Sequence, residues 1–190
     1  MQTDLDTLLR RARESDGVAA EELFALLYEE LHRLAEHTLH RNGGALTLGT
    51  TTLLHETYLK VAGRDGLAFD DRTRFFAYAA RAMRTLVVDY ARQRRAIKRG
   101  VQFEVTLDDE IAGSPAAVDA NDTLVRIGEG LTELSAVDAS LAELVDLHFF
   151  GGFTLAEIAS FRGVSERTVQ RDWRKARMLL RQAIPDVRES

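Results

Sequence analysis

Arg167, Arg171, Arg174, Lys175 and Arg177 crowd one stretch in the last quarter of the sequence. Guanidinium and ammonium groups only donate, and a row of donors suits phosphate oxygens and the acceptor edge of guanine. The residues among them are patterned. Val169, Trp173, Ala176 and Leu180 recur at spacings of four, three and four, one apolar stripe on a helix with the cations off it. Ser165 stands where its hydroxyl can cap that helix. A shorter pattern, Thr154 to Phe161, precedes it with Leu155, Ile158, Ala159 and Phe161 on one face. Arg162-Gly163-Val164 makes the turn, and Gly163 can take the left-handed conformation of a sharp helix stop. Together these predict a helix-turn-helix whose second helix enters the major groove. The plainer reading is a helical hairpin with a solvated basic face. Seven basic against two acidic residues between Arg162 and Arg181 weigh against it.

A second cationic stretch runs from Arg72 to Arg95, RTRFFAYAARAMRTLVVDYARQRR. Phe75, Ala79, Ala82, Met83, Leu86 and Tyr90, with Val87, predict a long buried stripe, while Arg74, Arg81, Arg84, Arg92 and Arg95 project elsewhere. Phe76 and Tyr78 sit beside the stripe. Rings beside a basic track suit the stacking of unpaired bases, although aromatics at such positions also suit a core.

The elements that position these stretches are helical throughout. Two prolines and hardly any alternating pattern in 190 residues predict an all-α fold, with length enough for one domain or two small ones. With no cysteine there is neither disulfide nor thiolate metal site, which fits a reducing cytoplasm. The first residues, MQTDLDTLLRR, are charged rather than a secretory leader, and no apolar run approaches a membrane span. Charge is segregated: net −6 over residues 1–71, +8 over 72–99 and −8 over 104–138, within an overall −5. Such blocks predict two nucleic-acid faces joined by an acidic connector.

Leu5, Leu8 and Leu9, then Leu23, Phe24, Leu27, Leu31, Leu34 and Leu39, predict a first helix, a break at Asp16-Gly17, and a longer second helix ending at Asn42-Gly43-Gly44. Residues 46–62, LTLGTTTLLHETYLKVA, predict another helix with Leu53, Leu54, Thr57, Tyr58 and Val61 on one face and a threonine cap. His32, His37 and His40 lack a convergent partner for a metal, and no nucleophile–base pair or glycine-rich phosphate loop points to an enzyme, a cofactor or a small-molecule substrate.

In this order and spacing the stretches resemble an extracytoplasmic-function (ECF) sigma factor, the subunit that directs bacterial RNA polymerase to promoters. The likeness spans Leu23 to Ile184. LLYEELHRLAEHTL resembles the first conserved segment, and LLHETYLKVA the polymerase-binding helix, with His55-Glu56-Thr57-Tyr58 in place of a QETF core. Residues 72–95 resemble the helix that melts and reads the −10 element, and 131–180 the domain that reads the −35 element. The resemblance implies an N-terminal domain over 1–99, a flexible acidic linker over 100–122 and a C-terminal domain over 123–190. It implies core RNA polymerase and promoter DNA as partners. The −10 strand would follow Phe75, Phe76, Tyr78, Arg81, Arg84, Asp89 and Arg92, with a flipped base in a pocket formed by the loop 63–71. At the −35 duplex, Ser165, Arg167, Thr168, Arg171 and Lys175 would make contacts, Arg167 and Arg171 reading bases and Arg174 and Arg177 holding phosphates.

One departure stands out. Where the family usually carries an acidic DAED-like run before the QETF core, this chain has Gly49-Thr50-Thr51-Thr52. Phosphorylation of a threonine would add about −1.5 to −2 charges at a helix N-terminus, where anions are favoured. Such a switch fits a subset of ECF sigma factors that this chain resembles, one associated with Ser/Thr protein kinases. Thr51 is the favoured site and Thr52 the next, with Thr51, Thr52, His55, Glu56 and Tyr58 as the polymerase-binding set. The competing expectation is a conventional dimeric helix-turn-helix regulator on a palindromic site.

Overall fold

The computed structural model describes residues 7, 8, 11, 17–42, 48–62, 71–105 and 120–183. Its helices are α1 (Gly17–Leu26), α2 (Tyr28–Asn42), α3 (Thr50–Ala62), α4 (Arg72–Val105), α5 (Ala120–Val137), α6 (Ala139–Val145), a π-helical turn (Asp146–Phe150), α7 (Leu155–Arg162) and α8 (Glu166–Ala183). Among the described residues there is no strand, and the fold is all-α as expected. The long helix predicted up to Asn42 is divided at Leu27 into α1 and α2. Helix α4 continues to Val105 and α5 begins at Ala120, so the expected connector 100–122 is helical at both ends. Its middle, residues 106–119, lies outside the described residues, as does the loop 63–70.

Helix α4 is the axis of the molecule. α2 and α3 pack on one side of it, and α5 and the π-helical turn on another. Its expected stripe is buried at Phe75, Ala79, Ala82, Met83 and Val87, but so is a second row formed by Phe76, Ala80, Arg84, Val88 and Ala91. A helix covered on both rows must be sandwiched, and the second layer comes from the C-terminal half. Gly128 of α5 meets Val88 so closely that a Cβ there would lie 2.8 Å from Val88 Cγ2. Gly152, at φ +73°, fits against the His37 ring, where a Cβ would lie 2.7 Å from Cγ. Thr38 Oγ1 is 2.8 Å from both the Leu34 and Phe150 carbonyl oxygens and shares its one proton between them.

At the centre of this contact Arg84 and Asp146 are 6% and 2% exposed. Arg84 Nε approaches Asp146 Oδ1 side-on at 2.7 Å, Nη2 donates to Oδ2 at 3.3 Å, and Nη1 donates to the Gly128 carbonyl at 3.4 Å. Burial pushes the Asp146 carboxyl up to about 6, against the pull of Arg84 beside it and Arg81 farther off, with Glu143 adding to the rise.

Two outcomes follow from these contacts. Alanine at Gly128 gains up to ~1 kcal/mol of helix propensity. It also overpacks Val88 at a cost of ~1–3 kcal/mol, so Gly128→Ala lowers the urea midpoint, whereas on a Val88→Ala background it does not. For Asp146 the folded pKa is raised, so the folded chain holds that proton more tightly than the unfolded one. This group's contribution is greatest below the ordinary carboxylate range and is lost as pH rises through 6. Between pH 7 and pH 5 the urea midpoint of the natural protein should therefore rise relative to that of Asp146→Asn.

Candidate nucleic-acid interface

Local chemistry builds the helix-turn-helix as the sequence predicts. Thr154 caps α7 by accepting from the Glu157 amide at 3.2 Å, and Glu157 accepts from the Thr154 amide at 2.8 Å, a reciprocal capping box. These bonds hold the Glu157 carboxyl below its usual range. Gly163 stops the helix at φ +63°, ψ +31°. Ser165 then caps α8 by accepting from the Thr168 amide at 3.2 Å. Val169 and Ala176 are buried and Trp173 half-buried, its ring edge-on to His148 at 4.6 Å. This pins α8 to the π-helical turn.

On the outer side of α8, Arg167, Arg171, Arg174, Lys175 and Arg177 are exposed. The Ser165 and Thr168 hydroxyls are engaged with each other at 2.9 Å as part of the cap. Arg171 meets the neighbouring Asp172 at 3.3 Å. Lys175 Nζ donates to Asp138 Oδ2 at 3.2 Å, while the other Asp138 oxygen caps α6 through the Leu141 amide. That cap and Lys175 keep the Asp138 carboxyl below its ordinary value. The outer face of α8 is thus a cationic surface whose acidic partners among the described residues, Asp138 and Asp172, are partly solvated and easily exchanged.

The expected −10 track is divided by the fold. Phe75 and Phe76 are 1% and 0% exposed, so in this conformation they are core residues and not stacking platforms. Phe76 stands edge-on to Phe153 at 5.4 Å, and Phe153 to Phe161 at 5.4 Å, a ring contact into the helix-turn-helix. Arg84 is likewise turned inward to Asp146 and is buried. Asp89 and Arg92 remain at the surface, paired at 3.2 Å. Tyr78 and Arg81 face a cavity of about 600 Å³ that Lys60, Ala82 and Thr85 complete. Lys60 and Thr85 had no distinguishing pattern in sequence; only the crossing of α3 and α4 brings them there. The loop 63–70, expected to receive a flipped base, lies outside the described residues.

Helix α3 presents the third surface. Its N-cap is Gly49, whose carbonyl accepts from the Leu53 amide at 3.0 Å, so the threonines fill the first turn in place of the cap expected of them. Thr51 and Thr52 are exposed, as are His55 and Glu56, and no acidic residue stands in that turn. Thr51, Leu54, His55 and Tyr58 line a groove of about 460 Å³ with Phe24 and Tyr28. Tyr58 donates to Glu21 at 3.2 Å and meets Phe24 edge-on at 5.0 Å, and burial with that carboxylate raises its phenol pKa.

Among the described residues no helix is long and apolar enough to cross a membrane. No individual curated protein matches the chain closely enough to add to these surfaces. A profile of the family described as ECF sigma factor, however, matches residues 2–186. The basic helix-turn-helix, the cationic α4 and the exposed α3 turn all fall within that match, and the chain belongs to the ECF sigma factor family, whose members bind core RNA polymerase and direct initiation at promoters.

Proposed function

We propose that this sigma factor acts in the cytoplasm and is switched by a Ser/Thr protein kinase, with Thr51 the preferred acceptor and Thr52 the next. The observation that carries the reading is the first turn of α3, exposed, uncharged and bordering the apolar groove. Because Gly49 serves as N-cap, neither hydroxyl is required to start the helix. A phosphate there gains the favourable end of the helix dipole and supplies the missing negative charge for a basic polymerase surface. His55, Glu56 and Tyr58 would complete the contact. Arg167 and Arg171 read bases at −35 and Arg174 and Arg177 hold phosphates, joined by Lys175 on release from Asp138. Ser165 and Thr168 stand at the end of α8 that enters the groove. On the −10 side, Tyr78 and Arg81 with the Lys60–Thr85 cavity form the reachable part of the track, which Asp89 and Arg92 extend.

Binding to core polymerase tests the switch. Thr51→Asp/Thr52→Asp should bind more tightly than the natural chain, and added salt should erase the gain. Thr51→Ala in a kinase-containing strain should drive less transcription than the natural protein; equal output would remove Thr51 as the acceptor. If neither form binds polymerase, even after kinase treatment, the protein acts as a dimeric regulator instead. For the duplex site, Arg171→Ala should weaken binding to a sequence selected from a random library by about tenfold or more and relax preference at one base. Arg174→Ala should weaken all sequences alike and reduce the salt slope by about 1.

A further inference from the structure

Lys175 continues the row that Arg167 and Arg171 begin, each four residues on, so the three cations share one side of α8 over ~12 Å at 1.5 Å per residue. Its partner lies on another element. Arg171 meets Asp172 of its own helix, whereas Lys175 Nζ donates at 3.2 Å to Asp138, the N-cap of α6. That carboxylate is built into place. Its Oδ1 accepts from the Leu141 amide at 3.1 Å, and the Asp138 amide donates to the Leu134 carbonyl at 2.7 Å. The start of α6 is tied to the helix-turn-helix a second time. Arg162, at the end of α7, donates through Nη2 to the Ser140 carbonyl at 3.0 Å and to Glu143 Oε1 at 3.2 Å, with its side chain only 14% exposed. Asp138 is therefore fixed beside α8, while Lys175 reaches it on a flexible stem. The cap and the cation hold the carboxyl below its ordinary value, so it is ionised at neutral pH.

We propose that Asp138 is a specificity-determining residue of the duplex site. It withholds Lys175 from sequence-independent phosphate contacts, so that this cation reaches DNA when base contacts hold α8 in register. The inference rests on the assignment of α8 to duplex DNA. Non-specific binding is carried by phosphate contacts, and each cation available to them raises it. A helix sliding along a duplex meets phosphates at changing distances. A lysine already 3.2 Å from a fixed carboxylate gains little by exchanging it for one of these. In the register set by Arg167 and Arg171 a phosphate stands at one place along the row, and the exchange becomes favourable. The pair is partly solvated, 55% exposed at Lys175 and 29% at Asp138, so it exchanges without the cost of breaking a buried pair. Discrimination is a difference between two binding modes, and withholding a cation from the weaker mode enlarges it.

Asp138→Asn separates the charge from the cap, because asparagine caps a helix as well as aspartate does. The full-length protein, natural and variant, is titrated over a range of salt with two fluorescent duplexes, one of mixed sequence and one selected from a random library. Asp138→Asn should bind the mixed duplex at least about threefold more tightly at low salt, with a salt slope steeper by about 1. Its affinity for the selected duplex should rise less, so the ratio between the two falls. On a Lys175→Ala background the substitution should lose most of its effect on the mixed duplex. An unchanged ratio overturns the proposal. A gain of the same size without Lys175 also overturns it, since the carboxylate would then act through its general field. So does a fall in both affinities together with the urea midpoint, which would make Asp138 a cap and nothing more. The natural chain's preference for the selected duplex over the mixed one reports separately on the reading of α8, before any variant is compared.

Discussion

One buried ion pair sets how the C-terminal helices meet α4. Placing Arg84 and Asp146 in the interior removes two charges from water, a cost their mutual attraction offsets only in part, since burial still leaves the Asp146 carboxyl raised to about 6. The pair therefore adds little net stability, but it makes mis-docking expensive. Sliding α5 or the π-helical turn along α4 would leave a guanidinium or a carboxylate buried without its partner. Register having been fixed, close packing follows. Gly128 can sit on Val88, Thr38 can reach the Phe150 carbonyl, and Gly152 can lie against His37. The apolar contacts hold the halves together, and the ion pair decides where.

This division explains which features were legible in the sequence. The helix-turn-helix is built from short-range rules, a capping box at Thr154 and Glu157, a left-handed Gly163 and a Ser165 cap, so the pattern carried nearly all of it. The threonines of α3 were misread as a cap because Gly49, with no side chain to signal it, takes that position. In α4 only one apolar row was read, with Phe75 in it and Phe76 and Arg84 outside it, and the resemblance set all three on the −10 track. The second row, Phe76, Ala80, Arg84, Val88 and Ala91, was present in the sequence with a lone charge among apolar residues. Its match is Asp146, a lone carboxylate in the run Leu144-Val145-Asp146-Leu147. Two isolated opposite charges in two apolar rows signal a buried pair, but 62 residues separate them and no local periodicity connects them.

Segregated charge takes on a different meaning once the halves are docked. Blocks of +8 over 72–99 and −8 over 104–138 read as a DNA face and a repelling linker. In the fold Asp122 and Glu129, both within the acidic block, lie against Arg95 and Arg92 of the basic one. Exposed pairs of this kind are each worth little and are screened by salt, but each offsets part of the positive charge that α4 carries. On the outer face of α8 the acidic partners among the described residues are Asp172 for Arg171 and Asp138 for Lys175.

The placement of α3 keeps its first turn apart from the buried ion pair. This helix packs on α1, α2 and α4, and its first turn points away from the contact between α4 and the C-terminal half. On the proposed reading a charge added at Thr51 or Thr52 would change affinity for a partner without touching Arg84 or Asp146. Under the proposed reading the added charge acts at the α3 turn, whereas Arg92 and Arg95 of α4 are already engaged by Glu129 and Asp122. A strand reaching α4 would have to displace those carboxylates, and a partner confined to the α3 turn would not.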